Sequence, residues 1–183
     1  TARKNPLKTE EDKQKLFDNY RSFGLDALIA IGGEDTLGVA AKLHTMGFKI
    51  VGVPKTIDND IHFTDYTFGF DTAVSIATEA IDRLHSTAEA HRRVMVVEVM
   101  GRHAGWIATV AGIAGGADNI LIPEIPFDIE EVCRSISNRI KKGKAFSLLV
   151  VAEGAKPKDG SLVAQESSVD DFGHIRLGGI SYH

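Results

Sequence analysis

Side chains suited to binding or transferring a phosphoryl group lie directly after four apolar runs of this sequence. The densest group is "KTIDND", residues 55–60, in which two carboxylates and an amide occupy three consecutive positions. A carboxylate placed there can take a proton from a hydroxyl or bind Mg²⁺. The other groups combine glycine, which permits close backbone approach, with charged side chains that suit phosphate or metal. They are "GGEDT" at 32–36, "MGRH" at 100–103 and "EG" at 153–154.

Some of these features also have ordinary structural explanations. A glycine pair followed by acidic residues and a threonine is a common turn into a helix, with Thr36 as the N-cap. His44, His85 and His103 have no second histidine or cysteine at a spacing typical of metal ligands, so we expect surface or packing roles for them. "TIDND" differs, because a turn alone rarely needs three carboxylate or amide side chains in succession.

The elements that must position these groups are predicted to be βα units. Short runs rich in Val, Ile and Leu alternate with longer helical stretches, which is typical of parallel sheets. The predicted strands lie in "DALIAIGG", "KIVGVPK", "VMVVEVMG", "NILIPEI" and "FSLLVVAEG". The predicted helices are 10–23, 37–46, 72–89, 106–114 and 129–141. The sequence therefore predicts an α/β fold with helices on both faces of parallel sheets, and its ligands should lie beyond the carboxyl ends of the strands.

The chain also offers weaker signals between and after these elements. Asp71 with Thr72, and Asp128, are predicted helix starts. The polar, aromatic stretch "KTIDNDIHFTDYTFGFD" is too long for an ordinary βα loop, so it is either functional or a crossing between domains. From 156 to 183 we find no convincing period and predict loops with one short helix.

The composition is that of an ordinary soluble globular protein. Of 183 residues, 43% are hydrophobic and 25% charged, and the net charge of −4 gives no indication of a nucleic-acid partner. Cys133 is the only cysteine, and a lone thiol favours a reducing compartment. No apolar run approaches the roughly 18 residues of a membrane span, and the first residues do not resemble a secretory signal. We therefore predict a cytoplasmic protein without a membrane partner.

Several separated motifs resemble the 6-phosphofructokinase family. They are "PKTIDND", "TDYTFGFDTA" and "EAIDRLHSTAEAHRRVMVVEVMGRHAG", and "GGEDT" falls at the spacing of that family's phosphate-binding GGD motif. The resemblance covers nearly everything from Asp26 to Glu153. It implies two α/β domains with the active site between them. We expect residues 1–69 to belong to a phosphoryl-donor domain and 70–183 to a domain that binds fructose 6-phosphate.

The resemblance also implies roles on the acceptor side. Asp58 would take the proton from the 1-hydroxyl of fructose 6-phosphate, and Arg102 would neutralise charge on the transferring phosphoryl group. Glu153 would accept hydrogen bonds from sugar hydroxyls. Arg93 would reach the 6-phosphate of a neighbouring subunit's substrate, which implies a homo-oligomer, either a dimer or a tetramer. The further residues expected to line the sugar are Thr56, Ile57, Met100 and Gly101.

The donor side departs from the ATP-using pattern. The residues expected to bind the donor or its Mg²⁺ are Gly32, Gly33, Glu34, Asp35, Thr36, Lys55 and Asp60, with Glu34 and Asp60 as the metal carboxylates. Glu34 stands where most members carry an aspartate. Nucleotide-dependent members usually carry glycine at the positions of Asp35 and Lys55. Asp35 would fill the space of an α-phosphate and repel it, whereas Lys55 would attract the terminal phosphate that leaves.

Both departures favour pyrophosphate as the donor. We therefore expect a Mg²⁺-assisted phosphotransferase that uses pyrophosphate and fructose 6-phosphate. Three alternatives remain. They are an ATP-dependent phosphofructokinase that tolerates both departures, a lipid or NAD kinase, and a catalytically incomplete fragment that binds sugar phosphate.

Overall fold

Two parallel sheets of three strands each organise the part of the chain that the structure describes. The structure, a computed structural model, describes residues 5–158, 164–169, 175–177 and 179–182. The helices are α1 Glu10–Ser22, α2 Glu34–Thr45, α3 Phe70–His91, α4 Trp106–Ala114 and α5 Ile129–Lys141. The strands are β1 Leu28–Gly32, β2 Ile50–Thr56, β3 Phe68–Gly69, β4 Val94–Val99, β5 Asn119–Leu121, β6 Ser147–Ala152, β7 Ala164–Val169 and β8 Ile175–Leu177, and a 3₁₀ helix follows at Ile180–Tyr182. The predicted α/β fold is confirmed.

The first sheet has the strand order β1–β2–β3. Leu28 of β1 pairs with Ile50 of β2, and the parallel register continues to Gly32 beside Pro54. β3 is only two residues long and pairs with the last two residues of β2. Because β1 and β2 run in the same direction, the glycine pair after β1 and the polar residues after β2 leave the sheet at one rim. We call residues 32–36 and 55–60 the first-sheet rim.

The second sheet has the order β4–β6–β5, with β6 in the centre. All six residues of β6 are buried, as expected for a central parallel strand covered on both faces. Its Leu148 and Val150 form a core with Ile81 and Ala88 of α3. β4 and β6 end together, since Val99 pairs with Ala152. Residues 100–103 and 153–154 therefore share a rim, which we call the second-sheet rim.

The predicted helices are all present, but two begin earlier than expected. α2 begins at Glu34, with Gly33 as the N-cap, so the interpretation of Thr36 as an N-cap is wrong. α3 begins at Phe70 after Gly69, whose φ of 112° is a left-handed conformation that favours glycine. The predicted start of α5 is confirmed. Asp128 is its N-cap, and the Asp128 carboxylate accepts a hydrogen bond from the Glu130 amide at 2.9 Å.

The C-terminal region contains more structure than we predicted. β7 and β8 pair in an antiparallel two-stranded sheet, where only loops were expected. The predicted short helix is present as the 3₁₀ helix. Residues 159–163, 170–174, 178 and 183 of the 156–183 prediction lie outside the described ranges. In the described part of the chain, no helix combines the length and the apolar character that crossing a membrane requires.

Candidate functional site

Asp58 lies at the end of β2 in a turn closed by its neighbour Thr56. The Thr56 hydroxyl donates to Asp58 Oδ2 at 3.3 Å and accepts from the Asp58 backbone N–H at 3.3 Å. The second carboxylate oxygen, Oδ1, is buried and has no hydrogen-bond partner among the described residues. A buried acceptor without a partner costs about 1–3 kcal/mol. Such a cost is expected in a binding site, where a group of the substrate supplies the missing hydrogen bond. A sugar hydroxyl can donate that hydrogen bond to Oδ1.

Charges from both rims act on Asp58. Burial raises the pKa of the Asp58 carboxyl above its usual value, and the adjacent Asp60 raises it further. The hydrogen bond from Thr56 and the positive charges of Arg102 and His103 oppose that rise in pKa. Arg102 and His103 belong to the second-sheet rim, so the Asp58 carboxyl lies within electrostatic range of both rims. A raised pKa is typical of a carboxylate that takes up a proton during a reaction.

Asn59 fixes the course of the chain directly after Asp58. It adopts a left-handed conformation with φ 55°, which asparagine tolerates better than most residues. Its side-chain oxygen accepts from the amide of buried Thr67 at 2.9 Å, and its Nδ2 donates to the carbonyl of Asp65 at 3.4 Å. These bonds close the loop between β2 and β3. The long polar segment that we predicted to be functional or a domain crossing is therefore an ordered loop beside the candidate base.

The second-sheet rim is tightly packed around its backbone. The Gly154 amide donates to the carbonyl of Gly101 at 3.0 Å, and the Glu153 amide donates to the carbonyl of Val99 at 2.9 Å. Burial raises the pKa of the Glu153 carboxyl, although the charge of Arg102 opposes this, and Asp58 contributes to the rise. Glu153, Arg102 and Asp58 therefore form one electrostatic group.

Gly154 is the position where this packing tolerates no side chain. A Cβ atom there would lie 2.1 Å from the carbonyl oxygen of Arg102, a backbone atom that cannot move aside cheaply. We expect Gly154→Ala to lower the free energy of unfolding by about 1–3 kcal/mol and to displace Arg102. The matched control is Gly38→Ala within α2, where a Cβ meets nothing within 4 Å.

The control substitution is expected to stabilise the fold by about 0.5–1 kcal/mol, because alanine loses less backbone entropy in a helix. Urea unfolding of both variants of the full-length protein measures the two changes. Equal stability of Gly154→Ala and Gly38→Ala would contradict the close packing described for the second-sheet rim.

The donor residues gather at the start of α2. Gly32 is buried, and a Cβ atom on Gly33 would lie 3.5 Å from Thr56 Cβ, so the glycine pair lies against the end of β2. Glu34 and Asp35 lie in the first turn of α2, where carboxylates interact favourably with the helix dipole. Glu34, Thr36 and Lys55 are exposed, whereas Asp35 is half-buried. Their roles toward a donor stay predictions.

The residues predicted to hold Mg²⁺ do not form a complete protein cage. Within the described ranges, no three carboxylate, imidazole or thiolate side chains converge as metal ligands. Mg²⁺ in phosphoryl-transfer sites is usually held by one or two carboxylates together with substrate phosphates and waters. Asp60, whose charge acts on the incompletely bonded Asp58, fits that donor set. For Glu34 the structure establishes only its exposed position at the start of α2.

The remaining substrate residues divide between the rims and a distant position. Ile57 and Met100 are 36% and 49% exposed, so both side chains can face a ligand. Arg93 is exposed and precedes β4, whereas Met100 follows that strand. Seven residue steps of about 3.3 Å each separate the two by about 23 Å. Arg93 therefore does not join the other predicted residues within one chain.

Two residues near the site were not predicted from the sequence. His103 is exposed, as expected for a surface residue, but its charge also acts on Asp58. Its place directly after "MGR" was the available signal. Glu98 was missed as well, because it lies inside an apolar strand pattern and its partners are 81 and 83 residues away.

Comparisons with known proteins agree on one family. The family described as Phosphofructokinase matches residues 1–181. A Streptomyces coelicolor protein named pyrophosphate–fructose 6-phosphate 1-phosphotransferase is 59% identical over 181 residues, 98% of this chain and 53% of that protein. A Corynebacterium efficiens protein named ATP-dependent 6-phosphofructokinase is 55% identical over 180 residues, 98% of this chain and 52% of that protein. The solved phosphofructokinase of Saccharomyces cerevisiae superposes with a TM-score of 0.75 and 34% identity, covering 87% of this chain and 25% of its own. The chain thus spans about half the length of the curated relatives it matches.

Proposed function

Because this chain belongs to the phosphofructokinase family, we propose that it is part of an enzyme that transfers a phosphoryl group from pyrophosphate to the 1-hydroxyl of fructose 6-phosphate. The observation that carries the proposal is the buried Oδ1 of Asp58, which has no hydrogen-bond partner within the described ranges, together with the electrostatic effect of Arg102 on this carboxyl. In the proposed reaction Asp58 supplies the proton acceptor, and Arg102 supplies the cation that neutralises the phosphoryl group. The product is fructose 1,6-bisphosphate, an intermediate of glycolysis.

Each residue has a defined part in the proposed transfer. Asp58 accepts the hydroxyl proton as the sugar oxygen attacks the donor phosphorus in line, and Thr56 holds the carboxylate in orientation. Arg102 interacts with the charge on the transferring group, and Glu153 accepts hydrogen bonds from the sugar hydroxyls. The reaction is reversible, because pyrophosphate and the sugar ester differ only modestly in transfer potential.

A metal ion completes the proposed donor side. Asp60 and Glu34 are the residues proposed to hold Mg²⁺, which when bound supplies positive charge to the donor phosphates. Gly32, Gly33 and Thr36 are proposed to contact those phosphates at the start of α2. Lys55 is proposed to bind the phosphate that leaves.

ATP is the competing donor. The relative named ATP-dependent is nearly as similar to this chain as the one named for pyrophosphate, at 55% against 59% identity. We place pyrophosphate first because Asp35 and Lys55 replace the glycines that usually accommodate a nucleotide. The two donors differ in the space that they need at these two positions, since only ATP carries an α-phosphate and a nucleoside.

Parallel assays of the full-length protein decide between the donors. Formation of fructose 1,6-bisphosphate is measured with pyrophosphate and with ATP, each with Mg²⁺ and fructose 6-phosphate. We expect pyrophosphate to give the larger kcat/KM. A larger value with ATP contradicts the donor assignment, and no product with either donor contradicts the proposed reaction. The same assay on residues 1–183 alone tests whether this portion is catalytically incomplete.

Further features of the full-length protein follow from the same proposal. The two sheets support a donor domain in residues 1–69 and a sugar-phosphate domain in 70–183. The distance of Arg93 from the rims supports a homo-oligomer in which it reaches a neighbouring subunit's substrate. The lone Cys133 supports a cytoplasmic location, where thiols stay reduced.

A further inference from the structure

Glu98 binds a chain segment that is distant in sequence. Its Oε1 accepts from the Gly179 amide at 2.7 Å, and its Oε2 accepts from the Ser181 amide at 3.1 Å and from the Ser181 hydroxyl at 2.8 Å. Burial by itself would raise the pKa of Glu98, but these hydrogen bonds together lower it below its usual value. The carboxylate is therefore bonded in its ionised form, which makes each bond stronger than one between neutral groups.

The bound segment also packs against the second sheet. Ile180, between the two bonded residues, is buried and contacts a cluster with Val151 and Ala155. Val151 lies beside Glu98 in the register of β4 and β6. The segment 179–182 thus rests on the carboxyl-terminal ends of both strands through polar and apolar contacts.

These same strand ends carry the residues of the second-sheet rim. Met100 follows Glu98 by two positions, and Glu153 follows Val151 by two positions. Glu98 is close enough to Glu153 for its charge to affect the Glu153 carboxyl. The segment 179–182 is therefore bound to the ends of the two strands from which the loops carrying Arg102 and Glu153 continue.

We propose that Glu98 is a positioning residue that ties segment 179–182 to the second-sheet rim and thereby sets the affinity of that rim for the sugar phosphate. This inference rests on the proposed function only for the identity of the ligand. Glu98 contacts no reacting atom in this arrangement, because both of its oxygens are directed to the segment. Its effect should fall on acceptor binding and leave donor binding unchanged.

The first test is the kinetics of Glu98→Gln in the full-length protein. Glutamine keeps the size of the side chain and one accepting oxygen, but its NH2 group cannot accept hydrogen bonds, so the bonds accepted by one of the two Glu98 oxygens are lost. We expect KM for fructose 6-phosphate to rise about tenfold, KM for pyrophosphate to stay within about twofold, and kcat at saturating sugar to change little. Glu89→Gln, which removes an exposed carboxylate from α3, is the matched control and should leave all three constants unchanged.

Ser181→Ala provides a milder version of the same test. It removes the hydroxyl bond and retains both amide bonds, so we expect a smaller rise in KM for the sugar phosphate in the same direction. A general loss of folding would lower the active fraction and hence kcat, without separating the two KM values. Equal changes in both KM values, or no change in either variant, would overturn the proposal.

Hydrogen exchange tests the hydrogen bonds between Glu98 and segment 179–182 without any substrate. In the wild-type protein the amides of Gly179 and Ser181 should exchange slowly, and Glu98→Gln should accelerate both. Rapid exchange of both amides in the wild type would rule out stable hydrogen bonds between Glu98 and the segment. If instead the wild type shows slow exchange but does not phosphorylate fructose 6-phosphate, the proposed function is wrong, whereas the hydrogen bonding of Glu98 to the segment is supported.

Discussion

Asp58→Asn is expected to lower kcat for sugar phosphorylation by about 10³-fold, with KM for both substrates within a few-fold of the wild type. The size follows from the usual contribution of a positioned general base, about 10²–10⁴. Asparagine retains the shape of the side chain and an acceptor for the Thr56 hydroxyl, but it cannot take a proton. Steady-state kinetics of the full-length protein measures the loss.

The same substitution should not destabilise the fold. Burial raises the pKa of the Asp58 carboxyl in the folded chain, so its ionised form is disfavoured there relative to the unfolded chain. The stabilising contribution of such a group is complete below its unfolded pKa and is lost as the pH rises through its folded pKa. At neutral pH the ionised Asp58 carboxylate therefore lowers the free energy of unfolding. Asp58→Asn removes that charge, so it should leave the free energy of unfolding equal or higher.

The exposed Asp65 on the same loop gives the matched control. Asp65→Asn removes an identical charge from an exposed side chain, and it should leave kcat unchanged. Near wild-type activity of Asp58→Asn would exclude Asp58 as the base. A comparable loss of activity in Asp65→Asn would instead assign the effect to the loop as a whole.

Asp35→Gly combined with Lys55→Gly should shift the donor preference toward ATP by about 100-fold, measured as the ratio of kcat/KM with ATP to kcat/KM with pyrophosphate. Juxtaposed like charges cost several kcal/mol in a binding site, and 100-fold corresponds to about 2.7 kcal/mol. Removal of Asp35 relieves the proposed repulsion of an α-phosphate, while removal of Lys55 weakens the proposed site for the leaving phosphate.

Single substitutions separate the causes of this shift. Asp35→Asn removes the charge but retains the volume, so it should improve ATP use less than Asp35→Gly if both volume and charge exclude the nucleotide. Lys55→Gly alone should mainly lower kcat/KM with pyrophosphate. KM for fructose 6-phosphate serves as the internal control and should stay constant. An unchanged donor ratio in the double variant would show that these two positions do not select the donor.

The helix and strand pattern could be predicted from the sequence because it rests on local information. Apolar runs such as "FSLLVVAEG" indicate buried parallel strands, and α4 and α5 have the predicted bounds. β7 was missed because its sequence, "AQESSV", has no apolar face, and its pairing with β8 is not encoded within either segment. The start of α2 was placed three residues late because glycine can cap a helix without any side-chain signal.

By itself the sequence determined which polar residues follow the strands, since the position of a residue after an apolar run is a local property. Only the tertiary structure decided which of those residues meet. It brought the charge of Arg102 to Asp58, kept Arg93 at the far end of β4, and joined Glu98 to Gly179 across 81 residues. The physical reason is that charge coupling and hydrogen bonding depend on distance in space, which strand order and register fix only when the sheets assemble.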